Sequence, residues 1–183
     1  MIRLRQYKSC DAEAIAVWCE DEMTYLNWSG GKFGPFPVTA EVIDSKYKND
    51  NGGCVEADNF YPVTALDEDE IIGHLIIRYI HGNSKILRLG WIIVDKKKRG
   101  QGYGKQIVAL ALKYAFEILL AEKVTIGVFE NNLSAYNCYK TSGFSEVVDG
   151  EKYKDIKDYN GRIWRVIELE ISADKYYQST KKI

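Results

Sequence analysis

Histidine is nearly absent from this chain. Its 183 residues hold two, His74 and His81, and four cysteines, Cys10, Cys19, Cys54 and Cys138, with no C-x-x-C pair among them. A zinc site needs about four His or Cys ligands at short spacings, so no metal is expected. Thiols scattered in this way fit a reducing compartment. No apolar run reaches the ~20 residues of a membrane span, and Met1-Ile2-Arg3-Leu4-Arg5 lacks the apolar centre of a secretion signal. The expectation is a cytoplasmic protein with no membrane partner. Charge of one sign is not in excess either: 25 Lys and Arg stand against 26 Asp and Glu, for a net charge of −1. That balance excludes a broad basic footprint, and with it a nucleic-acid partner. Repeats and low-complexity segments are absent.

What is present is an ordinary supply of core. Hydrophobic residues make up 46% of the chain, and there are 13 tyrosines and 4 tryptophans, enough amphipathic aromatics to line a pocket or an interface. The length suits one domain, expected over residues 1–172 with a frayed tail over 173–183. Alternating or apolar runs predict strands at Ile2–Tyr7, Phe60–Leu66, Ile71–Ile80, Ile86–Val94, Val124–Phe129, Phe144–Val148 and Ile163–Ile171. Helices are expected over Ala12–Met23, with Asp11 as cap, and from Thr39 to about Lys48, ending at Asn49–Gly53. A third carries an apolar stripe of Ile107, Leu110, Ala111, Tyr114, Ala115 and Ile118. A fourth, short helix is capped by Asn131 or Asn132 and closed by Gly143. Trp28–Pro37 and Tyr153–Gly161 read as connections. His74 reads as a packed strand residue and His81 as a solvated turn residue.

One stretch organises the rest. An apolar strand ends at Val94-Asp95, four cations follow (Lys96 to Arg99), then Gly100-Gln101-Gly102-Tyr103-Gly104-Lys105, and a long helix begins at once. A helix start leaves about four N–H groups unpaired and carries roughly half a positive charge, which suits a phosphate. Glycines allow positive φ and close approach of the backbone. Gly90, inside the strand, marks a bulge or a close approach. The loop is not a Walker A loop, because only three residues separate Gly100 from Gly104 and Gln106 follows the lysine. A dinucleotide fingerprint fits poorly, since the spacing is G-x-G-x-G.

The R-x-x-G-x-G order from Arg99 to Gly104 resembles the acetyl-CoA loop of the GNAT superfamily of N-acyltransferases. Asn132-Leu133-Ser134-Ala135-Tyr136-Asn137-Cys138-Tyr139, with Gly143-Phe144 after it, resembles the superfamily's second segment. Trp28, Gly34-Pro35-Phe36-Pro37-Val38-Thr39 and the Arg162–Ile171 strand look like the branch that includes ribosomal-protein N-terminal acetyltransferases. The resemblance implies an α/β (α+β) fold with a mostly antiparallel central sheet of about seven strands and about four flanking helices. It implies acetyl-CoA as acyl donor, held by Ile92, Ile93, Val94, Lys98, Arg99, Gly100, Gln101, Gly102, Tyr103, Gly104, Lys105, Asn132, Ala135 and Tyr139. The strand before the loop splays from its neighbour in such enzymes, and the pantetheine arm lies in the gap.

The reaction so implied is direct attack of a primary amine on the thioester. A free alkylamine with a pKa near ~10.4 is disfavoured as a neutral nucleophile by roughly 4–5 kcal/mol at pH 7. A base, a water chain or a desolvated site must make up the difference. Tyr139 is the expected general acid for the leaving thiolate, with Tyr136 one turn away able to substitute for it. Glu130 is the candidate base, and Glu22, Trp28 and Phe36 are candidate acceptor-site residues. Cys138 has no histidine nearby in sequence to activate it for an acyl-cysteine route. The acceptor is a small-molecule amine or a peptide N-terminus, and the assembly a monomer or homodimer. The rival reading is a non-catalytic acyl-CoA-binding sensor.

Overall fold

A computed structural model describes residues 1–52, 60–80, 82–148 and 150–180; Cys54 and His81 lie outside the described residues. Its centre is one sheet of eight strands: β1 (Ile2–Gln6), β2 (Phe60–Asp67), β3 (Glu70–Ile80), β4 (Asn83–Val94), β5 (Lys123–Phe129), β6 (Ser145–Glu146), β7 (Tyr153–Lys157) and β8 (Ile163–Ser172). The order is β1-β2-β3-β4-β5-β8-β6, with β7 also on β8. Only β4 and β5 run parallel. The helices are α1 (Asp11–Trp18), α2 (Glu22–Ser29), α3 (Ala40–Gly52), α4 (Tyr103–Lys113), α5 (Leu133–Thr141) and α6 (Ala173–Thr180).

Side chains alternate across a strand, so β3 feeds two cores. Leu75 and Ile77 join a cluster with Leu87, Leu89, Ile107, Ala111, Phe116, Val124 and Leu169 under α4. Ile76 joins the other face, where Ile15, Trp18, Tyr25, Trp28, Ile43 and Tyr47 of α1–α3 pack. His74 is 0% exposed on that same face. At the sheet edge, Asp11 is fully buried and receives two bonds of 2.7 Å from the Arg5 guanidinium, one of 2.6 Å from Thr64 Oγ1 and one of 2.9 Å from the Lys8 N–H. It is the first residue of α1 and ties β1, β2 and the helix together.

Several expectations are corrected. The helix expected over Ala12–Met23 is two helices. The break falls at Cys19–Asp21, where the Asp21 side chain accepts the Thr24 N–H at 2.7 Å and caps α2. Glu22 thus sits at a helix start, where the dipole favours a carboxylate, and Trp28 is helical rather than in a loop. α3 runs through Asn49 to Gly52. The stripe on α4 is carried by Ile107, Val108, Ala111, Leu112, Ala115 and Phe116, while Tyr114 and Ile118 are exposed. The buried face is already set within α4 by Ile107, Val108, Ala111 and Leu112, which turns Tyr114 outward; a π turn over Tyr114–Ile118, closed by Leu119 N–H to Tyr114 O at 3.0 Å, follows it. The charged stretch at Tyr153 is strand β7, paired along β8. The expected frayed tail is α6, with Tyr176 buried and stacked on Phe116 at 4.9 Å.

Candidate active site

β4 and β5 pair only from Ile86 to Leu89 against Lys123 to Ile126. Beyond Leu89 the two strands separate. The cause lies on β4: opposite β3, His74 pairs with Ile93 and Ile76 with Gly90, so two residues of β4 bulge out against one. Trp91, in the bulge, has φ +45°, a conformation a bulky residue adopts only when its surroundings hold it there. The Trp28 indole N–H does so, donating to the Trp91 carbonyl at 2.7 Å, and Phe33 stacks on Trp28 at 4.7 Å. The bulge opens one side of the strand to a cleft of roughly 490 Å³.

Four elements wall this cleft: Ile92, Ile93 and Val94 of β4; the loop and first turn of α4 through Arg99, Gly100, Gly102, Gly104 and Lys105; α5, including Asn132, Ala135, Cys138 and Tyr139; and Thr24, Asn27 and Trp28 of α2. Gly100 and Gly102 have φ +74° and +83°, and a Cβ at either would meet nothing within 4 Å. Glycine is there for the backbone conformation, not for space. Gly102 is the N-cap of α4, so the next amides start the helix facing the cleft. The charged side chains of the lining are both cationic, Arg99 and Lys105. Arg99 is oriented by a 2.9 Å bond from Nε to the Val94 carbonyl. An open strand edge, a helix start and two cations fit a polyphosphate carried on an amide-bearing arm.

Three residues expected on the donor stay out of this lining. Lys98 pairs with Glu70 at 2.7 Å, in a 3-10 turn over Lys96–Lys98, and its ammonium lies over the Tyr103 ring. Tyr103 donates its hydroxyl to Asp67 at 3.0 Å, and Gln101 donates to the Lys97 carbonyl at 2.7 Å. Local carboxylates and carbonyls compete for these groups, which a run of four cations does not reveal. Asn132 rather than Asn131 caps α5, accepting the Ala135 N–H at 3.2 Å.

Tyr139 lines the cleft from α5 and is 7% exposed. Burial pushes its phenol pKa upward, so the proton stays on at neutral pH. Among the described residues its hydroxyl has no hydrogen-bond partner. Tyr136 points elsewhere, donating to Glu146 at 2.6 Å, which removes it as a substitute. Cys138 lines the cleft, and burial raises its thiol pKa, which opposes a thiolate nucleophile. Glu130 is exposed on the turn after β5 and is not part of the lining. Glu22 is held by the hydroxyl of Tyr159 and by Arg162 at 3.0 Å, which keep its carboxyl pKa low, and it too lies outside the lining. Phe36 packs beside Tyr25 at 6.0 Å as satellite core. His74 sits behind β4, bonded through Nε2 to the Tyr47 hydroxyl at 2.7 Å. Sequence reasoning missed Thr24 and Asn27. The signal was present in Asp21-x-x-Thr24, a capping pattern that starts a new helix.

The comparisons agree with this geometry. Over residues 15–144 the sequence matches the family described as Acetyltransferase (GNAT) family. A probable spermine N(1)-acetyltransferase of Bacillus subtilis subsp. natto is 27% identical over 119 residues, 62% of this chain and 74% of that protein. A spermidine N(1)-acetyltransferase of Vibrio cholerae is 30% identical over 100 residues, 55% of this chain and 54% of that protein. The crystal structure of a spermidine N-acetyltransferase from Vibrio cholerae, in complex with CoA and spermine, superposes with a TM-score of 0.76 at 20% identity, covering 96% of this chain and 98% of that one. The expected superfamily is met; these relatives carry polyamine names rather than those of the ribosomal-protein branch.

Proposed function

The chain belongs to the acetyltransferase (GNAT) family and is an acetyl-CoA-dependent N-acetyltransferase, and from that premise we propose that it acetylates a primary amine of a small polyamine by direct attack in a ternary complex, within a single catalytic domain that includes α6. The observation that carries this reading is the cleft where β4 leaves β5, which ends at a glycine-capped helix start.

The roles follow from position. The amides after Gly102, with Arg99 and Lys105, take the phosphates of the donor. The open edge of Ile92–Val94 takes the amide-bearing arm and offers backbone N–H groups to the thioester oxygen as charge develops there. Asn132 and Ala135 bound the arm from α5. The amine nitrogen attacks the thioester carbonyl carbon, the C–S bond breaks, and the Tyr139 hydroxyl gives its proton to the departing sulfur. The positively charged nitrogen of the adduct loses its proton to water, and solvent returns a proton to the Tyr139 phenolate to close the cycle.

Among the described residues, no carboxylate is part of the cleft lining. Removal of water from the amine by the bound donor and the α2 wall lowers the pKa of the bound amine instead. This supports desolvation over a side-chain base, and gives Glu130 no direct contact. A peptide N-terminus carries the same nucleophile and is the rival acceptor.

The test is thiol release from acetyl-CoA with spermidine, an aminoglycoside and short peptides, for wild type and Tyr139→Phe. Spermidine is expected to be the fastest substrate, with the variant slower by about tenfold or more in kcat. Preference for the peptides would reassign the acceptor. An unchanged variant would remove Tyr139 from the acid role. Silence on every amine, with acetyl-CoA still raising the melting temperature, would favour a sensor.

A further inference from the structure

Asn27 lies on the face of α2 that also presents Thr24 and Trp28 to the cleft, at i, i+3 and i+4. Its amide oxygen Oδ1 is buried and has no hydrogen-bond partner among the described residues. A buried amide oxygen left without a donor is costly, and folded proteins rarely tolerate one outside a functional site. The helix that carries it is held in place: Trp28, the next residue, is 5% exposed and anchored on the Trp91 carbonyl, and α2 starts at the Asp21 cap. Its neighbours on this wall are already engaged. The Thr24 hydroxyl donates to Asp21 Oδ2 at 2.9 Å, and the Trp28 indole donates to Trp91.

Resting on the acceptor reading above, we infer that Asn27 Oδ1 accepts a hydrogen bond from the attacking nitrogen of the acceptor amine and aims its lone pair at the thioester carbonyl. The donor occupies the walls made by β4, the loop and α5, which leaves the α2 wall to the acceptor. A neutral amide suits the task. A carboxylate here would stabilise the ammonium form, which cannot attack, whereas a neutral amide oxygen accepts from the amine and raises its pKa far less.

Three variants test this: Asn27→Ala, Asn27→Leu and Asn27→Asp, each compared with wild type on the amine that wild type turns over fastest. The first two lower kcat/KM for the amine about tenfold, leave the acetyl-CoA Kd within about twofold, and do not lower the melting temperature, because Oδ1 makes no hydrogen bond among the described residues. Asn27→Asp moves the rising limb of the kcat–pH profile to higher pH, since a bound ammonium is then stabilised. An unchanged amine kcat/KM in the Ala and Leu variants overturns the inference, as does an unmoved pH limb in the Asp variant. An acetyl-CoA Kd weakened in proportion to the loss of rate also overturns it, and assigns Asn27 to the donor instead. The wild-type rate on the amine panel reports on the acceptor reading, and the ratio of variant to wild type reports on Asn27 alone.

Discussion

Lowering the pH from 6.5 to 4.5 should remove about 2 kcal/mol of folding stability through His74 alone. The imidazole is 0% exposed, stacked on Tyr47 at 5.2 Å and bonded to its hydroxyl through Nε2, and Nδ1 has no partner among the described residues. Burial drives its pKa from 6.5 down to about 3, opposed only weakly by the charge of Asp11. The unfolded chain takes up a proton as the pH falls through 6.5, whereas the folded chain holds His74 neutral down to about 3. The unfolded state therefore binds more protons across this window, and stability falls with falling pH by about 1.4 kcal/mol per unit. Because the unfolded imidazole is already half protonated at pH 6.5, the two units give about 2 kcal/mol, a large part of a typical 5–15 kcal/mol. The carboxylates held low by partners, such as Asp158 at about 2, lose their share only at lower pH. Urea titrations at half-unit steps from pH 7.5 to 4.5, on wild type and His74→Gln, measure the slope directly. The variant is expected to be less stable at pH 7 yet nearly flat across this window. A wild type that is flat between pH 6.5 and 4.5, or a variant that keeps the full slope, would refute a neutral buried His74.

Two further substitutions separate structure from function. Asp11→Ala removes the carboxylate from a part-buried Arg5 and should cost about 3 kcal/mol or more in chemical denaturation, because the guanidinium is left without its partner. Gly104→Ala places a Cβ no nearer than 3.7 Å to Cys138 Sγ and 3.8 Å to Val94, so the melting temperature should hold. The methyl group intrudes where a phosphate meets the helix start, so KM for acetyl-CoA should rise by about tenfold while the amine KM changes little.

The parts of this protein that were legible in its sequence are those encoded locally. Gly100, Gly102 and Gly143 all have positive φ, and Asn132 caps its helix through its own side chain. Gly90 marked the point where β4 bulges, because a bulge needs a small residue or a strained one beside it. The parts not legible depend on tertiary competition. The apolar pattern of α1 passes smoothly into α2, and only the Asp21 cap interrupts it. β7 is charged at three of its five positions, with Ile156 its one partly buried residue, so no alternation announced it; pairing along β8 makes it a strand. Lys98 looked like a phosphate ligand until Glu70 was placed beside it. Asn27 is an unremarkable residue in sequence, and its significance comes from a single buried oxygen.

The most direct measurement is a mass spectrum of spermidine after incubation with the protein and acetyl-CoA. The account predicts a product heavier by one acetyl group, formed in step with free CoA thiol and diminished in Tyr139→Phe. Thiol released with spermidine unchanged in mass, or an acetyl group found stably on the protein at Cys138, would contradict direct transfer to the amine.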